Sequence, residues 1–139
     1  MTLIDANPVD RSKERKRRIL MIIAGLIIAA AVALYFYWPY YMARRTVSNF
    51  MDALVHRNYQ EAYALWHAKP RQYPMDQFMQ DWGPSSQWGT IRTYSIQQVA
   101  SPSSDSSGLV VIVRINDIVG SEARIWVENK SHDMSFYQF

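Results

Sequence analysis

Twenty consecutive residues, Ile19 to Trp38 (ILMIIAGLIIAAAVALYFYW), carry no charge and no strongly polar side chain. At ~1.5 Å rise per residue a helix of that length spans about 30 Å, the thickness of a bilayer's hydrocarbon core. A soluble surface helix would show a polar face, and this run has none. A helix also satisfies its own backbone in lipid, which an open strand or loop cannot do. The run therefore predicts one membrane helix over residues 19–38, and it divides the chain into a short tail, a span and a remainder.

Charge orients the span. Arg11, Lys13, Arg15, Lys16, Arg17 and Arg18 precede it, whereas only Arg44 and Arg45 follow closely. Lys and Arg stay on the cytoplasmic side, so residues 1–18 are expected inside as a basic tail and residues 39–139 outside, in a bacterial cytoplasmic membrane. Tyr35, Phe36, Tyr37, Trp38, Tyr40 and Tyr41 cluster at the far end, where such rings prefer the headgroup level. A cleaved signal peptide is the rival reading, since Ala31-Val32-Ala33 is an acceptable small-x-small site. The apolar run continues past it, which favours an uncleaved anchor. Gly25, Ala29 and Ala33 recur every four residues on one face, a pattern that lets a second membrane helix approach closely. The expected partners are thus the bilayer and a membrane protein, met through this helix or the outer domain.

The net charge of +3 belongs to the tail, because residues 39–139 hold nine basic and nine acidic side chains. That balance excludes a basic stripe for nucleic acid. With no cysteine in the chain, a disulfide framework and a thiolate metal site are excluded too. The remaining ~100 residues have to hold together by packing one modest core.

Pro39 reads as the end of the membrane helix. Beyond it, Val47, Phe50, Met51, Leu54 and Val55 follow helical spacing across about Tyr41–His56. Asn58 and Glu61 resemble a capping box opening a second helix, with Ala62, Tyr63, Leu65 and Trp66 on its inner side and Lys69-Pro70 as its stop. Pro74 suits the first turn of a third helix, Met75–Trp82, with Gly83 as its cap. After Gly89 the period changes to alternation. Ile91–Val99, Leu109–Asn116, Ser121–Glu128 and Asp133–Phe139 read as strands, separated by the polar loop Ser101–Gly108 and by turns at 117–120 and 129–132. No connection is long enough for a helical crossover, so the strands pair antiparallel. The fold class is α+β: one transmembrane helix, then about three helices packed on a four-stranded antiparallel sheet.

The segments Val47-Ser-Asn-Phe50-Met-Asp-Ala-Leu54 and Asn58-Tyr59-Gln-Glu-Ala62-Tyr63-Ala-Leu65-Trp66, followed by Asp81-Trp82-Gly83, are similar to those of a known group. The remainder resembles the nuclear-transport-factor-two-like and cystatin-like domains, over about residues 41–139. The resemblance implies a curved sheet wrapped around helices in a cone, whose interior binds a small molecule, hosts catalysis or serves only as a protein-binding surface. A pocket of that kind would be lined by Tyr63, Trp66, Tyr94 and Ile125. An isomerase- or dehydratase-like enzyme would draw on Asp76, Asp81, Tyr63, Tyr94 and His67. Asp76 has a simpler explanation in the first turn of a helix, where negative charge is favourable. Asp81, near a helix C-terminus, needs a reason: a pairing with Arg71 or Arg92, or the capping of a following turn.

Other motifs are weak. His56, His67 and His132 lack metal-ligand spacing, and the first two suit helix ends. Asn129-Lys130-Ser131 matches a glycosylation acceptor that matters only in a eukaryotic secretory route. No cofactor motif is present. Trp66 and Trp82 read as core, whereas Trp88 in a Gly- and Ser-rich loop and Trp126 on a charged strand face are candidates either for partner contact or for covering the joint between helices and sheet. The expected function is a non-enzymatic, single-pass accessory protein presenting its domain outside the membrane. A small-ligand module and an isomerase-like enzyme are the alternatives.

Overall fold

A computed structural model describes residues 10–67 and 69–138. The chain forms two compact units, Met1–Tyr37 and Trp38–Phe139. The long helix α1 runs Arg11–Val55 and contains a window long and apolar enough to cross a membrane, none of it buried. Pro39 lies inside α1 rather than at its end. Proline costs one amide donor and crowds the carbonyl four residues back, but helical geometry is kept on both sides of it.

In the second unit, Ala43, Val47, Phe50, Met51, Ala53 and Leu54 of α1 are buried, one stripe at helical spacing. Helix α2, Tyr59–Trp66, starts at Asn58, whose side chain accepts from the Glu61 amide at 3.3 Å and donates to Glu61 Oε2 at 2.7 Å. The Asn58 backbone N–H goes instead to Ala53 O, so the pair closes side chain to side chain rather than as a capping box. His67, not Lys69-Pro70, stops this helix. It takes the left-handed conformation and its ring meets Asp133 at 2.9 Å. His56 does contact a carbonyl of the last turn, Asp52 O, at 2.7 Å.

Helix α3 spans Met75–Trp82, with Pro74 at its N-cap and Gly83 at its C-cap. Gly83 has an ordinary φ of −75°, so conformational freedom is not the reason for glycine there. A β-carbon at that position would run into the Met79 carbonyl.

The sheet is an antiparallel meander of β1 (Tyr94–Ala100), β2 (Gly108–Ile115), β3 (Glu122–Glu128) and β4 (Met134–Phe136), in that order. Strand β1 starts three residues later than Ile91 because the Arg92 and Thr93 amides donate to Asn116 Oδ1 instead of a ladder partner. The last strand is shorter than expected, and Phe139 lies outside the described residues. Asn116 also donates to Thr90 O at 3.1 Å. It adopts positive φ, as does Asp117, which carries the chain into a β2–β3 tip where Ile118 is 57% and Val119 85% exposed.

Leu109, Val111, Val113 and Ile115 of β2 and Ala123, Ile125 and Val127 of β3 form the buried face. They meet an aromatic cluster in which Phe50 contacts Trp66, Phe78 and Trp82, while Phe136 stacks on Trp82 at 5.3 Å and 8°. Among the described residues no polar or charged side chain is fully buried. The α+β class expected from periodicity is therefore the fold observed.

Candidate functional site

Within the second unit an open groove lies beside α3. Tyr73, Gln77 and Asp81 line it from the helical side, Gln87 and Trp88 from the loop after α3, and Arg124 and Tyr137 from the sheet end. Its position follows from local structure. Tyr73 precedes Pro74, which disfavours helix for the residue before it, so Tyr73 sits in the loop entering α3. The Tyr63 hydroxyl donates to the Tyr73 carbonyl at 2.7 Å and fixes that loop. One turn into α3 and beyond, Gln77 and Asp81 are four apart and share a face.

Asp81 is half-buried and accepts the Tyr73 hydroxyl at 2.6 Å. Neither Arg71 nor Arg92, both exposed, pairs with it. A tyrosine eight residues away satisfies the carboxylate where an arginine was expected. Burial, then the hydrogen bond to Asp81 and that carboxylate's charge, push the Tyr73 hydroxyl above the usual tyrosine range. Burial raises Tyr94 as well, with the Asp52 hydrogen bond and charge adding to it and the Ser48 bond opposing.

A sign follows for alkaline stability. The fold prefers neutral Tyr73, so its contribution is fully present below the unfolded tyrosine pKa near ~10 and is lost as pH rises from there toward the folded value. Tyr73→Phe is expected to cost ~1 kcal/mol at neutral pH through the lost bond. It should also flatten the decline in stability above about pH 10, leaving the Tyr94 share. Urea unfolding from pH 7 to 11 measures both; an unchanged alkaline slope would refute the assignment.

The residues expected to line an inner pocket are placed as follows. Trp66 is buried, with ring contacts to Phe50, Tyr73, Trp82 and Phe136. Ile125 is fully buried opposite Val111 and Phe136. Tyr63 packs against Phe78, and Tyr94 donates to Ser48 O and Asp52 Oδ1 of α1 at 3.2 and 2.7 Å. Asp76 is exposed in the first turn of α3, and His67 is on the Asp133 side of α2, so the enzyme set is spread out except for Asp81. Gly25, Ala29 and Ala33 are exposed along α1 in the first unit.

The two tryptophans singled out as contact residues are joined by a residue that periodicity did not mark. Trp88 lines the groove with Tyr137, and Tyr137 stacks on Trp126 at 6.1 Å and 15°. Trp126 lies on the sheet face away from the helices, beside Val110 of β2. It also covers Gly108, where a β-carbon would run first into the Val127 carbonyl and would then stand 2.7 Å from the Trp126 ring. Glycine at 108 thus makes the seat for Trp126.

Among the described residues no group of three His, Asp or Glu is arranged to hold a metal ion. No family model, curated protein or solved structure matches the chain.

Proposed function

We propose that this chain is a single-pass accessory protein of a bacterial cytoplasmic membrane, with its N-terminus inside and its α+β unit outside as a binding domain. The observation that carries the reading is the uncharged 20-residue run, exposed along α1, with six basic residues on one side and aromatic residues on the other. Trp88 and Tyr137 both line the groove and Tyr137 stacks on Trp126, which supports a binding role, because partly exposed large rings gain when a partner covers them.

An isomerase-like enzyme is the second reading, and the 2.6 Å contact between Tyr73 and Asp81 in the groove favours it. Proton abstraction calls for a base in a water-excluding site, and this groove is open along its length. The binding role is therefore preferred.

Protease treatment of intact spheroplasts, followed by native mass analysis after mild detergent extraction, tests the proposal. A C-terminal tag should be digested from outside, and the extracted protein should run with a second subunit. A protected tag would overturn the orientation. A strictly monomeric particle would overturn the accessory role.

A further inference from the structure

We propose that the groove beside α3 binds a neutral glycan chain. This deepens the reading above by giving the outer domain a ligand class, and it rests on that domain facing the cell-wall side of the membrane.

Among the described residues four aromatic side chains, Tyr73, Trp88, Phe136 and Tyr137, line the groove, Phe136 being the one already stacked on Trp82. A pyranose ring presents a face of C–H groups, and that face settles on the electron-rich face of an aromatic ring. Gln77, Gln87 and Gln138 line the same groove, are exposed, and make no side-chain hydrogen bond to another described residue. Each planar amide offers an acceptor oxygen and two N–H donors, the complement of neighbouring hydroxyls on a sugar.

Charge narrows the choice. Among the described residues the lining holds two carboxylates, Asp81 and Glu122, against one guanidinium, Arg124. Asp81 already accepts from Tyr73, and Glu122 accepts from Arg114 at 3.1 Å. Nothing there supplies the positive surplus that a phosphate or a polyanion requires. The lining is also more polar than apolar, so an acyl chain would strand its amides without partners.

Shape points the same way. The groove is open to solvent and not an enclosed cavity, so a chain longer than one residue is not excluded by its walls. A bound peptide is usually held by a strand edge or by deep apolar anchor pockets. The Trp88 indole N–H is buried without a partner among the described residues, and the exposed unpartnered groups named above are side-chain amides flanked by rings, which match hydroxyls better than a peptide backbone.

Full-length protein in detergent micelles tests the assignment. The probes are a β-1,4-linked N-acetylglucosamine tetramer, maltotetraose, and an uncharged unstructured peptide of similar mass. Saturable binding of at least one oligosaccharide is expected, with Kd on the order of 1 mM or tighter, read by saturation-transfer NMR and tryptophan fluorescence. Trp88→Ala should weaken it about tenfold. The double variant Gln77→Ala/Gln87→Ala alters only exposed side chains, so it should keep wild-type thermal unfolding while binding about three- to tenfold more weakly. Failure of both sugars to bind up to about 10 mM, undiminished binding by the double variant, or binding of the peptide alone would overturn the proposal. A protein firmly held in membranes that ignores sugars sinks this inference alone. One that binds sugars yet is stripped from membranes by carbonate sinks the anchored placement instead.

Discussion

Arginine at both Ile27 and Ile28 is expected to empty the membrane fraction of this protein. Both side chains are 64% exposed along α1, near the middle of the uncharged run, and neither has a role in the packed unit. Each exchange replaces a residue that favours the bilayer centre with one that costs ~2.5–3.5 kcal/mol there. The pair therefore shifts insertion by roughly 6–8 kcal/mol, enough to reverse it. Alkaline carbonate extraction reads the result. Wild-type protein should stay in the pellet, and the variant should be released or degraded. A variant that remains integral would mean that this segment does not anchor the chain.

The second large effect belongs to the core. Phe50 is fully buried, with ring centroids 5.0 Å from both Trp66 and Trp82 and 6.2 Å from Phe78. Phe50→Ala removes those contacts and leaves a cavity among rings too rigid to collapse into it, at a cost of ~3–5 kcal/mol. A unit of this size holds only about 5–15 kcal/mol in total, so melting should fall by roughly 15 °C or more. Val119→Ser at the exposed β2–β3 tip is the matched control and should stay within about 0.5 kcal/mol. Comparable melting of the two variants in detergent would contradict the placement of Phe50 at the centre of the cluster.

Much of the fold was legible because local signals agreed with the packing. Phe78, Met79 and Trp82, bracketed by Pro74 and Gly83, defined α3 to the residue. Ala123, Ile125 and Val127 alternate with charged neighbours and occupy the buried face of β3. Where reading failed, a distant partner decided the outcome. His67 ends α2 early while reaching Asp133 across 66 positions. Asn116 delays β1 by taking its first amides. Pro39 reads as a break because the penalty is local, whereas the helix around it is set by many other turns.

The candidate groove was only partly visible. Trp88 stood out as a large ring in a Gly- and Ser-rich loop, and Asp81 as a carboxylate needing a partner. Tyr73, Gln77 and Tyr137 carry no motif, and they come from a loop, a helix and the stretch after β4. Only the folding of three separate segments against each other makes them neighbours. Trp126 illustrates the same limit, since its seat over Gly108 depends on strand register rather than on adjacent residues.

Among the described residues the interior is closed by aliphatic, aromatic and methionine side chains, which has a further consequence. No described side chain that can gain or lose a proton is fully buried, but Tyr73 and Tyr94 pack against that interior and burial holds both hydroxyls in the neutral form. The alkaline side is therefore where Tyr73 and Tyr94 set a limit on the folded state. A base strong enough to strip those two phenols would loosen the sheet edge and the α3 loop together.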